Sequence, residues 1–162
     1  MRRESEQDLA FVERLYASVR AEELRATGWP EDAQLAFVRQ QLALQREHYR
    51  NHFPATEFMI VTRRSAPIGR LYLSLGQAEY RVLDLSLVAE SRGRGIGGEL
   101  VRTIQAAATR AGCPVTLHVE RGSRARRLYD RAGFLVIRAN GAYDLMRWSA
   151  GGDDKRLHAL AL

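Results

Sequence analysis

The sequence lacks several features that would place it in other classes of protein. Its single cysteine, Cys113, cannot form an internal disulfide and leaves no cysteine cluster for a metal ion. We interpret Cys113 as a half-buried core residue before Pro114. No apolar run approaches the roughly 18 residues of a membrane span, and the N-terminus lacks the apolar core of a signal peptide. We therefore expect a cytoplasmic protein without a membrane partner.

Lysine is also scarce, because all but one of the 25 basic residues are arginine. The net charge of +6 raises the question of nucleic-acid binding. The charge is spread along the chain, however, and no helix-turn-helix, zinc or aromatic stacking signature accompanies it. Nucleic acid is therefore a disfavoured partner. One local cluster of arginines stands out: Arg121, Arg124, Arg126, Arg127 and Arg131.

The composition is sufficient for one hydrophobic core. With 162 residues and 46% hydrophobic content, the chain fits a single domain, which we place at residues 1–150. Residues 151–162 begin Gly-Gly-Asp-Asp and carry only a weak apolar pattern. We expect this tail to be mobile or to dock on a partner subunit, so a homodimer remains an open alternative.

The most informative segment is a glycine-rich turn. It directly follows the apolar run of residues 82–88 and begins a helical pattern that ends at Gly112. Glycines let a backbone approach a ligand closely, and a helix N-terminus offers unpaired N–H groups with partial positive charge. The turn therefore predicts a pyrophosphate cradle, with a tight strand-to-helix connection as the alternative interpretation. Its residues are Arg92, Gly93, Arg94, Gly95, Ile96, Gly97 and Gly98.

Two familiar nucleotide turns do not fit. A nucleoside-triphosphate loop ends in Gly-Lys-Ser or Gly-Lys-Thr, whereas this turn ends Gly97-Gly98-Glu99. A dinucleotide turn has Gly-x-Gly-x-x-Gly early in its fold, with an acidic residue about 20 positions later. Gly93, Gly95 and Gly98 satisfy that spacing, but they lie past the midpoint of the chain. A dinucleotide fold is therefore disfavoured.

The spacing Arg-x-x-Gly-x-Gly at Arg92, Gly95 and Gly97 resembles the acyl-CoA pyrophosphate motif of the GNAT N-acetyltransferase superfamily. A second block supports the resemblance, since the predicted strand 115–119 is followed by Ala-x-x-Leu-Tyr-x-x-x-Gly-Phe at residues 125–134. The resemblance implies an α/β (mixed α+β) fold, with a mostly antiparallel mixed sheet flanked by helices and the cofactor at the glycine turn. It also implies acetyl-CoA as co-substrate, with no metal.

The sequence patterns follow the order of elements that this family has. Apolar periodicity predicts two helices before the sheet, with a Ser5–Asp8 capping box at the start of the first. Strand-forming runs then predict a three-strand meander, and a hairpin around Asn140-Gly141 closes the chain. The predicted helices are 5–26 and 31–49, a cofactor helix ending at Gly112, and a short helix from about Ser123. The predicted strands are 57–62, 68–75, 80–88, 115–119, 134–138 and 143–148.

Two departures from the family pattern affect these expectations. An asparagine common in the family six or seven residues before the tyrosine of the second motif is replaced by Gly122 or Ser123. Its contact is therefore lost or replaced. Only Met1 to Glu4 precede the first helix, so the family's opening strand is either vestigial or outside the chain.

The resemblance implies roles for residues around the turn. Backbone N–H groups near Leu85 and Leu87 would polarise the thioester carbonyl. Tyr129 would protonate the departing thiolate, and its alternative is a core tyrosine with its hydroxyl at the rim. Ser123, Arg124, Arg127 and Tyr129 join the turn residues as predicted cofactor-binding positions. The predicted reaction is acetyl transfer to a primary amine of a small molecule or peptide, and the alternative is a non-catalytic acyl-CoA-binding or interaction module.

The general base is left open by the sequence. Candidates are Asp84 before the turn, Glu79 at the start of that strand, and His118 and Glu120, which share one face of the next strand. Local bonding of Asp84, a solvated Glu79, an interior His118 and a water chain are the alternatives. Trp29, His118 and Tyr143 are the predicted substrate-binding residues. His48 and His52 lack the context of a zinc site, so no metal is expected.

Overall fold

The structure of the protein is a computed structural model that describes residues 1–151. The predicted mobile or docking tail, apart from residue 151, lies outside the described residues. The helices are α1 (Leu9–Val19), α2 (Ala21–Thr27), α3 (Glu31–His52), α4 (Ile96–Ala111) and α5 (Arg124–Arg131). The strands are β1 (Arg2–Arg3), β2 (Thr56–Arg63), β3 (Ala66–Leu75), β4 (Tyr80–Leu87), β5 (Val115–Glu120), β6 (Leu135–Asn140) and β7 (Tyr143–Trp148).

The strands form one mixed sheet. Its seven strands lie in the order β1-β2-β3-β4-β5-β7-β6. β4 and β5 are parallel, whereas β1–β2, β2–β3, β5–β7 and β6–β7 are antiparallel pairs. The predicted mixed α/β fold with a mostly antiparallel sheet is confirmed.

The chain divides into two compact units. The first contains Met1–Ser74 and Asp84–Arg92, and the second contains Leu75–Leu83 and the described residues from Gly93 onward. The boundary falls inside β4, so this strand contributes residues to both units. The single domain placed at 1–150 stays a prediction.

The first unit has its core between α1, α2, α3 and the sheet. Val12, Tyr16, Leu24, Val38, Leu42 and Ile60 form one buried cluster. On the predicted apolar face of the first helix, Val12 and Tyr16 are buried, whereas Leu9 and Val19 are exposed. The single helix predicted at 5–26 is wrong, because the chain leaves helical geometry at Arg20 (φ −101°, ψ 15°) and continues as α2. Gly28 then ends α2 in the left-handed conformation, as the predicted break requires.

The opening strand is present in vestigial form. β1 pairs Arg2 with Ile60 and Arg3 with Met59. Just after it, the predicted capping box is confirmed, since the Asp8 carboxylate accepts hydrogen bonds from the backbone N–H and the hydroxyl of Ser5. Asp8 also pairs with Arg2 at 2.6 Å. The Arg2 guanidinium, together with the Ser5 donors, holds the pKa of the buried Asp8 well below its ordinary value.

The second unit packs α4 and α5 on β5. The predicted buried face of α4 is confirmed at Leu100, Ile104 and Ala108, and Gly112 (φ 67°) ends the helix. β6 and β7 form the predicted closing hairpin, with Gly141 at φ 58° between them. Among residues 1–151, no helix is long and apolar enough to cross a membrane.

Candidate functional site

The glycine turn has an open, left-handed backbone. Gly93 and Gly95 have φ values of 72° and 81°, which side chains other than that of glycine rarely adopt. A Cβ atom added at either position would meet nothing within 4 Å. Both glycines are therefore required by the backbone conformation, and the space in front of them is free for a ligand.

The turn ends at the N-terminus of α4. Gly95 is the N-cap residue, and its carbonyl accepts the first intrahelical hydrogen bond, from the Glu99 N–H at 3.1 Å. The N–H groups of Ile96, Gly97 and Gly98 precede that bond, so they have no intrahelical acceptor. Free donors and the helix dipole at such a terminus attract an anion, and phosphate binding by this turn stays a prediction.

Gly97 has an additional role that the sequence did not indicate. A Cβ atom at this position would lie 3.1 Å from Cδ2 of Leu128, on α5. Gly98 is less restricted, because its Cβ would lie 3.4 Å from Nη1 of Arg102. Gly97 therefore makes room for the packing of α5 on α4, as well as belonging to the predicted cradle.

The backbone N–H groups at the two ends of β4 donate to different neighbouring strands. The Tyr80 N–H donates to Pro114 O, at the β5 edge, whereas the Val88 N–H donates to Ile68 O, at the β3 edge. A regular strand would direct both donors to the same edge, so β4 contains an irregularity between these residues. Regular alternation back from Val88 predicts that the N–H groups of Leu85 and Leu87 point away from β3.

These two N–H groups also lie beyond the ladder that joins β4 to β5. The register pairs Tyr80, Arg81 and Val82 with β5 and goes no further. Gly69 of β3 keeps the opposite edge of β4 close, because a Cβ there would collide with Ser86 O and with Cδ2 of Leu87, the latter at 2.6 Å. The strand thus presents backbone donors at the two positions where a carbonyl-binding role was predicted.

The arginines near the turn are not equivalent. Arg92 is exposed and donates its Nε–H to the Leu87 carbonyl at 2.8 Å, which leaves its terminal nitrogens for a phosphate. In the cluster on and before α5, Arg121 pairs with Asp144 at 2.8 Å, and Arg126 pairs with both Asp144 and Asp130. Arg121 and Arg126 together hold the pKa of Asp144 below its ordinary value.

Two of the three remaining cluster residues are the predicted cofactor-binding arginines. Arg124 and Arg127 are exposed, and within residues 1–151 no carboxylate forms an ion pair with either of them. Ser123, also predicted to bind cofactor, is the N-cap of α5: its oxygen accepts from the Arg126 N–H at 3.2 Å and its hydroxyl donates to Glu120 O at 2.8 Å. Its side chain is thus already occupied in helix capping.

Tyr129 lies at the buried end of α5. Its side chain is 5% exposed, and its ring meets that of Phe134 edge to face, with centroids 5.5 Å apart. The backbone N–H of Phe134 donates to the Tyr129 carbonyl at 3.0 Å and fixes the end of the helix. These contacts fix the position of the Tyr129 ring in the second unit.

Asp84 belongs to a buried ion pair that sequence reasoning missed. Arg70 of β3 donates from Nε (3.1 Å) and Nη2 (2.6 Å) to the two carboxylate oxygens, and the Ser86 hydroxyl adds a third donor at 2.7 Å. The Arg70 guanidinium is enclosed by the rings of Tyr16 and Tyr72. Arg70 is 1% exposed, and its Nη1 is buried with no hydrogen-bond partner among the described residues. The predicted local bonding of Asp84 therefore covers only its contact with Ser86, whereas its main partner, Arg70, lies on the neighbouring strand.

Two tyrosines beside this pair are protected from ionisation. Burial raises the pKa of Tyr49 to about 12, and the Asp84 carboxylate adds to the shift. Burial likewise raises the pKa of Tyr72, whose hydroxyl donates to Glu4 at 2.7 Å. These hydroxyls remain neutral donors over the physiological range.

His118, Glu120 and Tyr143 share one face of the sheet in the second unit. The register places Glu120 opposite Tyr143 and His118 opposite Leu145. His118 is exposed, so the interior alternative is wrong. Partial burial and the nearby guanidinium groups of Arg81 and Arg138 lower the pKa of His118, which favours its neutral form. Glu79 pairs with Arg81 at 3.2 Å.

The predicted substrate-binding residue Trp29 and the two histidines rejected as zinc ligands lie in the first unit. Trp29, in the connection between α2 and α3, is 45% exposed and packs edge to face on Phe37 at 5.5 Å. An exposed aromatic in that connection suits the predicted substrate contact. His48 and His52 stack on one another, and among the described residues no group of three or more potential metal ligands is present.

Comparisons with known proteins give consistent findings. A model of the acetyltransferase (GNAT) family matches residues 13–134. Among solved structures, PaiA N-acetyltransferase from Thermoplasma acidophilum in complex with coenzyme A has a TM-score of 0.67 at 20% identity, covering 91% of this chain and 96% of its own. An acetyltransferase from Thermus thermophilus has a TM-score of 0.64 at 17% identity, with 91% and 94% covered.

A third similar structure contains the acetylated cofactor. Campylobacter jejuni N-acetyltransferase PseH, in complex with acetyl coenzyme A, has a TM-score of 0.55 at 12% identity, covering 91% of this chain and 93% of its own. At these identities the likeness shows the fold. No curated protein sequence matches the chain significantly.

Proposed function

The chain belongs to the GNAT acetyltransferase family, and from this premise we propose that it transfers an acetyl group from acetyl-CoA directly to a primary amine. The observation that carries the proposal is the open turn before α4. Its left-handed glycines leave free space, and three successive N–H groups without intrahelical acceptors follow them. Such a turn suits the pyrophosphate of a coenzyme A ester.

The chemistry of the turn and of nearby arginines suits the phosphate groups of the cofactor. Gly93 to Gly98 would hold the pyrophosphate through backbone N–H groups, and Arg92, Arg94, Arg124 and Arg127 supply exposed positive charge for phosphate oxygens. Ser123 contributes by fixing the start of α5 through its capping bonds. Binding energy from this distant part of the cofactor would position the thioester.

The N–H groups of Leu85 and Leu87 are proposed to bind the pantetheine end and the thioester carbonyl. Strand alternation predicts that they point away from β3, and they lie beyond the ladder with β5. A donor aimed at a carbonyl that gains negative charge lowers the barrier more than it tightens ground-state binding. The two leucine side chains serve only as packing.

The proposed reaction balances without any further reactant. The neutral amine nitrogen attacks the thioester carbon, the C–N bond forms, and the C–S bond breaks. The amine loses one proton to a base, and the coenzyme thiolate gains one from an acid, so the products are an amide and free coenzyme A. Tyr129 is the proposed acid, because a phenol pKa of about 10 is close enough to a thiol pKa of about 8.5 for transfer.

For the base we favour Glu120, with His118 beside it on the same strand face. Both are exposed, and the lowered pKa of His118 keeps its ring able to accept a proton. Asp84 remains a predicted site residue, but its carboxylate already accepts three hydrogen bonds in its pairing with Arg70 and Ser86. We therefore propose that Asp84 positions β4, and that Glu120, His118 or water removes the proton from the amine.

The proposal is tested by measuring acetyl-CoA binding and amine-dependent thiol release on the same protein. Calorimetry should show binding that weakens at least tenfold, about 1.4 kcal/mol, when a bulky residue at Gly95 blocks the approach of the pyrophosphate. Gly122→Val is the matched control, since the space around Gly122 is also open and it lies outside the turn. Unchanged affinity in a folded Gly95→Val protein would contradict the cofactor site. Tight binding without thiol release across a broad amine panel would favour a non-catalytic acyl-CoA-binding module.

A further inference from the structure

One face of the sheet in the second unit differs from the other in its chemistry. Val115, Leu117 and Val119 of β5 are buried, and α4 and α5 pack on this strand. The alternate residues, with their register partners on β4, β6 and β7, form the opposite face. We call this set the charged face: Arg81, Thr116, His118, Glu120, Leu135, Arg138, Asn140, Tyr143, Leu145 and Arg147.

The arginines of the charged face differ in whether their N–H donors have hydrogen-bond or ion-pair partners. Arg81 is occupied, since its Nε–H donates to the Thr116 hydroxyl oxygen at 3.2 Å and the group pairs with Glu79. Arg147 is different, because its Nε is buried and residues 1–151 offer it no hydrogen-bond partner. Arg138 is exposed, and no carboxylate among residues 1–151 forms an ion pair with it. Two guanidinium groups on this face therefore lack an anion.

Because the Arg147 Nε is buried, a ligand cannot reach it, and an anion would be bound by the terminal nitrogens of Arg147, for which residues 1–151 supply no ion pair. The electrostatic surroundings agree with this, because Arg81 and Arg138 both lower the pKa of His118 and thus create a positive potential there. Glu120, the carboxylate of this face, forms no ion pair with residues 1–151 and lies at the other end of β5 from the Thr116–Arg147 pair. The face therefore has a basic end and an acidic end.

The register sets the distance between these ends. Arg147 lies opposite Thr116, His118 lies opposite Leu145, and Glu120 lies opposite Tyr143. At about 3.3 Å per residue, the Arg147 pair is about 7 Å from the His118 pair and about 13 Å from the Glu120 pair. Long side chains shorten these gaps, so a small molecule can reach both ends.

We propose that the acceptor is a primary amine that also carries an acidic group, which Arg147 and Arg138 bind while the amine lies toward His118 and Glu120. The shared chemistry of the acidic group is that of a carboxylate or phosphate, which guanidinium groups bind through paired hydrogen bonds. The inference rests on the proposed acetyl transfer and adds the substrate class. A neutral or purely cationic amine would leave the Arg138 and Arg147 guanidinium groups without an anion.

The test compares amines that differ only in the acidic group. 3-Aminopropanoate is paired with 3-aminopropanamide, and 2-aminoethyl phosphate with 2-aminoethanol, so the two arms separate carboxylate from phosphate. We expect the acidic member of at least one pair to have a tenfold or higher kcat/KM, mainly through a lower KM. Arg138→Gln and Arg147→Gln should remove most of this preference and leave kcat for the neutral member nearly unchanged. Arg110→Gln, an exposed change of the same charge in the last turn of α4, is the control.

Several outcomes overturn the proposal. Equal kcat/KM values within both pairs would do so, as would arginine variants that slow acidic and neutral amines equally. Arg138 is exposed, so its variant keeps the test usable if Arg147→Gln does not fold. Calorimetry of the four amines on coenzyme A-saturated protein gives a readout independent of turnover. No salt-sensitive binding of either acidic amine there refutes the proposal, whereas a lack of coenzyme A binding refutes the proposed function itself.

Discussion

Removing the Tyr129 hydroxyl is the sharpest test of the proposed chemistry. In Tyr129→Phe the ring keeps its edge-to-face contact with Phe134, at 5.5 Å between centroids, and its place in a side-chain environment that is only 5% exposed. The loss of one neutral hydrogen-bonding group should therefore cost no more than about 1 kcal/mol in the free energy of unfolding. Acetyl-CoA affinity should also change little.

The effect should appear in turnover. Proton transfer from a phenol to a thiolate is uphill by about 1.5 pKa units, roughly 2 kcal/mol, which a short hydrogen bond in a water-poor site can offset. Without that acid, kcat should fall by about 10²- to 10⁴-fold, the range for general acid catalysis, and KM should stay near its original value. Steady-state thiol release with the best amine measures both constants.

Tyr80→Phe is the matched control, since it deletes a hydroxyl from β4 and leaves the proposed machinery intact. It should reduce kcat by less than threefold, in line with the small effects of substitutions away from reacting groups. If Tyr129→Phe retained a kcat similar to that of Tyr80→Phe, the tyrosine would be a packing residue. Water would then be the proton donor, and the chemistry argued above for α5 would be refuted.

Three further changes test the structure around the site. Arg70→Met should lower the free energy of unfolding by about 3 kcal/mol, because Asp84 is left as a buried unpaired charge, and the double variant Arg70→Met/Asp84→Leu should recover much of that loss in urea titrations. If Arg70→Met lowered the free energy of unfolding by less than about 0.5 kcal/mol, as expected for an exposed ion pair, the pair would not be a buried one that stabilises the fold. Gly69→Ala should cost at least about 2 kcal/mol, because its Cβ overlaps Ser86 and Leu87, whereas Gly122→Ala should stay within about 0.5 kcal/mol; equal losses would refute the close approach of β3 and β4. The pKa of Asp8 is lowered in the folded state, so its carboxylate contributes to the free energy of unfolding above the unfolded pKa of about 4. This contribution is lost as the pH falls. Asp8→Asn should therefore destabilise the protein at pH 7 and progressively less in acid. A destabilisation by Asp8→Asn that is constant with pH would show that the Arg2 pairing is not its cause.

The features that the sequence predicted well are those set by local spacing. The apolar face of α4, its glycine end at Gly112, the capping box and the closing hairpin each depend on residues a few positions apart. The glycine turn also belongs here, because its left-handed positions leave little choice but glycine. Tertiary contacts are not needed to identify such features.

The features that the sequence missed depend on register or on distant partners. Arg70 meets Asp84 only because β3 and β4 pair with a particular alignment, and neither residue is unusual in its own strand. The charged face required the irregularity between Val136 and Arg138, which decides the side of β6 on which Arg138 lies. The end of α1 at Arg20 carries no glycine or proline signal, so the periodicity appeared continuous.

The contact between Gly97 and Leu128 has a consequence for building chimeric enzymes from this family. A graft of the turn from a relative with a larger residue at position 97 would push against the Leu128 side chain, which immediately precedes Tyr129. Such a hybrid could bind cofactor correctly and still misplace the tyrosine ring. The residues at positions 97 and 128 must therefore be compatible in size, and a transplanted turn should be exchanged together with the matching α5 side chain.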